Sequence, residues 1–187
     1  MSETKTKYLI IGNSAGGVGC IEAIRKVDAT GSITIVSDEP YPVYSRPLIS
    51  EHLSDKCSLE RMMYRPADFY TKNKVTTVLG QKVKRLDTDG HIVELANGDT
   101  IFWQKLLLAT GGIPIVPPTK GIPSKGVFTF TTLDDAKAID EALALGNKAV
   151  VIGGGFIGVS VTEALRKRSA AVTIIEMKDR ILNTILD

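Results

Sequence analysis

Two cysteines, two histidines and one tryptophan are all that this chain of 187 residues holds of those types, and each scarcity removes a class of function. Cys20 and Cys57 are too few and too isolated for a disulfide framework. His52 and His91 show no metal-ligand spacing, so no metal centre is expected. No apolar run has the length needed to cross a bilayer; the longest, such as Leu106-Leu107-Leu108-Ala109, is as long as a strand. The polar start, Ser2-Glu3-Thr4-Lys5-Thr6-Lys7, lacks the apolar core of a signal peptide. The formal net charge is only +2, and no basic stripe is interleaved with aromatics, which leaves nucleic-acid binding without support. A cytoplasmic protein with neither membrane nor nucleic acid as partner is the expectation. No Ser-His-Asp or paired-carboxylate arrangement can be assigned, so no catalytic side chain is named.

Glycine, by contrast, is placed with purpose. An apolar strand over 8–11 runs into Gly12-Asn13-Ser14-Ala15-Gly16-Gly17, and a second over 148–152 runs into Gly153-Gly154-Gly155-Phe156-Ile157-Gly158. Each turn opens a helical pattern. Over 16–27, Val18, Ile21, Ile24 and Val27 recur at three-residue spacing, with Cys20 and Ala23 widening the apolar face. The strand over 33–36 completes a βαβ unit, which implies a parallel pair.

Beyond it, Pro40-Tyr41-Pro42-Val43-Tyr44-Ser45-Arg46-Pro47 is extended by its prolines. Short helices are expected near 47–53 and 66–71. Strands over 75–79, 82–87, 91–96 and 100–103, with hairpin signals at Asp89-Gly90 and Asn97-Gly98, read as an inserted antiparallel meander. A fully buried parallel strand is expected at 106–109. Residues 115–125 are rich in proline and glycine and read as a linker. A helix over 133–145 has Asp134 and Asp135 in its first turn and Gly146 past its end. A strand over 148–152, a helix over 156–167 and a strand over 172–176 start a second βαβ unit.

A dinucleotide site needs a tight turn, a close approach of backbone to diphosphate, and a helix N-terminus aimed at the phosphates. In the first fingerprint Gly12 supplies the turn and Gly17 the close helix–strand packing. Ser14 stands where a middle glycine is usual, and its hydroxyl can reach a phosphate oxygen. Asp38 and Glu39 follow the second strand, where a ribose-binding acid belongs; a solvated turn before Pro40 is the competing reading. The second fingerprint carries Gly153, Gly155 and Gly158 in full register. Glu176 lies at the end of the following strand, where a carboxylate binds the ribose and repels a 2′-phosphate, favouring NADH over NADPH.

The order of fingerprint, Ser37-Asp38-Glu39-Pro40 to Arg46-Pro47, meander, Ala109-Thr110-Gly111-Gly112-Ile113-Pro114 and second fingerprint resembles the FAD- and NAD(P)-dependent pyridine nucleotide oxidoreductases. The branch includes NADH oxidases, rubredoxin and ferredoxin reductases and the flavin domains of nitrite reductases. The resemblance implies FAD on the first fingerprint, at Gly12, Ser14, Ala15, Gly16 and Gly17. Asp38 and Glu39 match the ribose acids, Arg46 a basic residue near the flavin phosphates, and Val83 a backbone position beside the adenine. Ala109, Thr110 and Gly111 match a turn that passes close to the cofactor. NADH is then expected on Gly153, Gly155, Phe156, Ile157, Gly158 and Glu176. Three positions depart from the family pattern: Glu51 replaces a lysine, Thr131 an arginine, and Ser160 a glutamate near the nicotinamide. The paired cysteines of the disulfide reductases are missing; Cys20 reads as core, and Cys57 lies beyond the place of a single redox cysteine.

The resemblance covers nearly the whole chain but only the N-terminal half of such a protein. It implies an α/β fold: a Rossmann-like FAD-binding domain over 1–114 with a β-meander insertion, the linker over 115–125, and the first βαβ unit of a Rossmann-like NAD-binding domain over 126–187. Both domains are expected to be incomplete, through truncation, division between subunits, or descent to a shortened form. The implied function is hydride transfer from NADH to flavin and on to an acceptor: oxygen, a small redox protein or a partner subunit. An oligomer is expected. The alternative is a nucleotide-binding module without turnover.

Overall fold

The computed structural model describes every residue except Met1, Thr119, Pro123, Leu145, Thr184 and Asp187. In chain order come β1 (Glu3–Ile11), α1 (Ala15–Val27), β2 (Ile33–Ser37), a 3-10 turn (Arg46–Leu48), α2 (Ile49–Leu53), α3 (Leu59–Met62) and α4 (Phe69–Lys72). There follow β3 (Val75–Leu79), β4 (Val83–Asp87), β5 (Ile92–Leu95), β6 (Thr100–Leu108), α5 (Leu133–Leu143), β7 (Lys148–Ile152), α6 (Phe156–Lys167) and β8 (Ala171–Ile175). These elements form two compact units, one from Met1–Ser45 with Met63–Gly112, the other from Arg46–Met62 with Ile113–Asp187.

The first unit is built on one six-stranded sheet in the order β3-β2-β1-β6-β5-β4. β1 pairs in parallel with β2 and β6, and β2 with β3. β5 pairs antiparallel with both β4 and β6. Three expectations are corrected here. Val75–Leu79 does not join the meander; it extends the parallel sheet beside β2. The expected strands at 100–103 and 106–109 are one strand, β6, which meets β5 antiparallel at its start and β1 in parallel along its length. Nor is its end fully buried: Leu106 and Leu107 are half-buried and Leu108 is exposed.

Alternation along β1 gives the sheet two cores. Ile10 joins Ile33, Ile35, Val18 and Ile21 on the face that α1 covers. Leu9 and Ile11 point the other way, onto Val36, Val93, Leu95 and Ile101. Each such side chain contributes on the order of 1.5–3 kcal/mol by leaving water. The buried face of α1 is narrower than its spacing suggests, because Val27 and Ala23 are exposed. The far end of α1 is fastened by Asp28, which accepts from Lys7 Nζ at 2.7 Å, Tyr8 OH at 3.0 Å and the N–H groups of Thr30 and Gly31.

In the second unit, β7 and β8 form a parallel pair with α6 packed on one face. Val161, Ala164 and Leu165 of α6, Leu53 of α2 and Ala170 make its core. α5 begins with a capping box, in which Thr132 Oγ1 accepts the Asp135 N–H and the Asp135 carboxylate accepts that of Thr132. Leu145, the expected end of this helix, lies outside the described residues, as do Thr119 and Pro123 of the expected linker. Arg168 ties α6 to the Leu53 carbonyl at 3.0 Å, Asp140 at 2.6 Å and Asp55 at 3.1 Å. The opposite face of the strand pair exposes Val150, Ile152 and Ile175.

Candidate nucleotide-binding turns

The first glycine turn is shaped by steric contacts that only glycine tolerates. Gly12 sits at φ +115°, and a β-carbon on it would overlap the Ala109 carbonyl oxygen. Its N–H donates to Val36 O at 2.8 Å. A β-carbon on Gly17 would overlap the Gly12 carbonyl oxygen, and one on Gly16 would stand 3.5 Å from Ala109 Cβ. Ser14 is the extended N-cap of α1, yet its side chain makes no capping hydrogen bond, and no acid occupies the first turn. The first N–H groups of a helix have no intrahelical partner, and the helix dipole makes that end favourable to an anion. Ala15 and Gly16 are exposed, Ser14 half-buried and Gly17 buried. The turn therefore fits a diphosphate.

The second turn repeats the plan. Gly153 has φ +102°, its N–H donates to Ile175 O at 2.8 Å, and a β-carbon on Gly158 would overlap the Gly153 carbonyl oxygen. Gly155 caps α6 in an extended conformation without a side-chain bond, again with no acid in the first turn. Phe156 and Ile157 are exposed at the helix start. Glu176 follows β8 directly and accepts the Gly154 N–H at 2.6 Å and the Lys178 N–H at 3.0 Å. Those two N–H groups, Lys178 first, hold its carboxyl below the usual range, so it is anionic beside the glycine turn.

Other expected site residues are distributed unevenly. Ala109 closes against the first turn, its N–H donating to Ile11 O at 2.8 Å, and Thr110 and Gly111 continue from it, Gly111 at φ +70°. Asp38 is exposed, whereas Glu39 is half-buried and accepts the Tyr44 hydroxyl. Val83 opens β4 opposite Leu95 and is half-buried, its side chain packed against the core that holds Leu9 and Ile11. Arg46 belongs to the second unit and donates to the Thr131 carbonyl at 2.7 Å. Two positions picked out by the family pattern thus meet through a backbone oxygen.

The cysteines show no paired chemistry. Cys20 is half-buried, and burial pushes its thiol up. Cys57 is buried, with its carbonyl 2.8 Å from His52 Nδ1. His91 stacks flat on Trp103, ring centroids 4.3 Å apart. One contact beside the first turn has no signal in the sequence. Tyr70 OH lies 2.7 Å from Asn13 Oδ1, a contact between positions fifty-seven apart that no local pattern signals.

Comparison with known proteins places these turns in context. The family model described as pyridine nucleotide-disulphide oxidoreductase matches residues 6–187. The chain is 39% identical over 182 residues to the NADH-dependent phenylglyoxylate dehydrogenase subunit epsilon of Aromatoleum evansii, covering 97% of this chain and 43% of that one. It is 35% identical over 173 residues to the rhodocoxin reductase of Rhodococcus erythropolis, covering 92% of this chain and 40% of the relative. The solved structure of an NAD-dependent persulfide reductase from A. fulgidus superposes with a TM-score of 0.89 at 29% identity, over 97% of this chain and 35% of the other. The chain thus spans less than half the length of these relatives.

Proposed function

The chain belongs to the pyridine nucleotide-disulphide oxidoreductase family, and from that premise we propose that it serves an FAD-dependent NADH oxidoreductase that delivers electrons to a redox partner or partner subunit. The observation that carries this reading is the duplication of one turn. Gly12–Gly17 and Gly153–Gly158 are built on the same positive-φ glycine, the same glycine-on-carbonyl contact and the same uncapped helix start. Two such cradles suit two dinucleotides.

In this reading residues 1–114 belong to the FAD domain, 115–125 to the linker and 126–187 to the NAD domain. FAD, when bound, supplies the redox chemistry. The protein's part is to bind and orient. Gly12, Ser14, Ala15, Gly16 and Gly17 hold the flavin diphosphate, Ala109–Gly111 lies alongside, and Asp38 or Glu39 meets the ribose. Val83 contributes its backbone to the same cofactor. Gly153, Gly155, Phe156, Ile157 and Gly158 hold the nicotinamide dinucleotide. Glu176 selects NADH, because its carboxylate is anionic where NADPH would bring a phosphate. The names of two relatives, a dehydrogenase subunit and a rhodocoxin reductase, support a protein acceptor.

The test is anaerobic spectroscopy of the intact protein. It should bind FAD, and NADH should bleach the flavin's visible absorption, with NADPH much less effective. A protein that binds neither nucleotide overturns the reading. One that binds both without flavin reduction is a nucleotide-binding module without turnover.

A further inference from the structure

Asn13, which follows the tight-turn glycine Gly12, has its side chain held from two sides. The Tyr70 hydroxyl donates to Oδ1 at 2.7 Å, and Nδ2 donates to the Tyr41 carbonyl at 3.2 Å. The Tyr70 oxygen also accepts the Val43 N–H at 3.0 Å. Counting protons gives the chain one direction. A backbone carbonyl only accepts and a backbone N–H only donates, so the Asn13 NH2 faces the Tyr41 carbonyl and its Oδ1 takes the single phenolic proton of Tyr70. The relay starts at Val43, passes through Tyr70 and Asn13, and ends at Tyr41. It closes on the proline-bracketed segment where it began.

Each member is itself anchored. Tyr70 packs against the core under α1 and lies edge-on to Phe69, with ring centroids 5.3 Å apart at 82°. Val43 is buried in that same core. Tyr44, next along the segment, donates its hydroxyl to Glu39. One phenol oxygen thus connects the glycine turn, the segment over 41–44 and, through Tyr44, the acid that follows β2.

The geometry points to Tyr70 as a positioning residue for the flavin dinucleotide. By clamping Asn13 it fixes the backbone between Gly12 and the first turn of α1, where the uncapped N–H groups converge, and it sets the distance from that turn to the Glu39 carboxylate. Diphosphate and ribose would then be received at a spacing established before binding, which lowers the ordering cost of association. This rests on the reading of the first turn as the FAD site.

The experiment compares FAD binding by the apoprotein of the intact wild type with that of Tyr70→Phe, Asn13→Ala and the double variant. It follows flavin fluorescence quenching, the 31P shifts of bound FAD and the melting of each apoprotein. Tyr70→Phe keeps the ring and leaves the Val43 N–H without its acceptor, so the dissociation constant should rise about tenfold. The diphosphate 31P resonances should move. The double variant should bind about as poorly as the worse single one, because both break one relay. Tyr64→Phe, at an exposed tyrosine, should change none of these. A Tyr70→Phe protein that melts earlier but keeps the wild-type affinity and 31P shifts overturns the proposal, and so do strictly additive effects. Should Tyr70→Phe not fold, Asn13→Ala breaks the relay at its other member, and wild-type affinity and shifts there overturn it equally. Wild type that binds no FAD defeats the underlying reading instead.

Discussion

Gly17 stands so close to the carbonyl oxygen of Gly12 that a β-carbon on it would overlap that atom and would also stand 3.3 Å from Ile35 Cδ1. The obstacle is backbone, which cannot swing aside as a flexible side chain does. Gly158 holds the same relation to Gly153. These two contacts press each helix onto its strand, and they separate the two sites experimentally.

Gly17→Ala should lower stability by about 2 kcal/mol, the usual cost of forcing a methyl into a filled core. It should also weaken FAD retention at least tenfold. Thermal melting and the flavin content of the purified protein measure the two effects.

Gly158→Ala strains the second turn alone. FAD content should stay at the wild-type level while the NADH concentration needed for half-maximal flavin reduction rises at least tenfold. A stopped-flow titration with NADH reads this directly.

Glu176 accepts two backbone N–H groups and remains charged. Glu176→Gln keeps an acceptor for the Gly154 N–H but removes the charge. The preference for NADH over NADPH should fall about tenfold, chiefly through better use of NADPH, as paired steady-state titrations would record. Unchanged discrimination would remove Glu176 from the specificity determinants.

Asp28 links pH to stability in the first unit. The Lys7 ammonium, then the Gly31 and Thr30 N–H groups, hold its carboxyl well below the ordinary range. A depressed folded-state value means that the stabilisation is fully present above the unfolded value of about 3.9. It is lost as pH falls from there through the folded value. Asp28→Asn should therefore melt earlier than wild type at pH 7, and the gap should close below pH ~4. Melting curves across that range test the sign.

Both glycine turns, α1, α6 and the β7–β8 pair were legible in the sequence because each depends on neighbours a few residues away. Gly12 is needed where φ is positive, and Val18 and Ile21 mark the covered face of α1. What escaped was decided at long range. Val75–Leu79 has the residues of any strand, and only its partner β2 makes it parallel. β6 looks like two strands in the sequence because Gln104 and Lys105 interrupt its apolar run, although both are simply exposed positions of one strand. Residues 46–62 group with the second unit through Leu53 and the Arg168 contact to its carbonyl. The Tyr70 relay is of the same kind: its donor and acceptor atoms are ordinary until the fold brings them together.

The double pairing of β6 bears on the order of events as the chain leaves the ribosome. β1 can meet β2 within its first βαβ unit, but its other edge waits for Thr100–Leu108. Contacts of such sequence separation form slowly, since the intervening loop must close first. For some ninety residues of synthesis, then, the central strand of the first sheet keeps one edge bare, and Leu9 and Ile11 have yet to meet Val93, Leu95 and Ile101. At ~5–20 residues per second that interval lasts roughly 5–18 seconds. The strand that ends beside the first glycine turn is also the one whose arrival closes the window for misassembly.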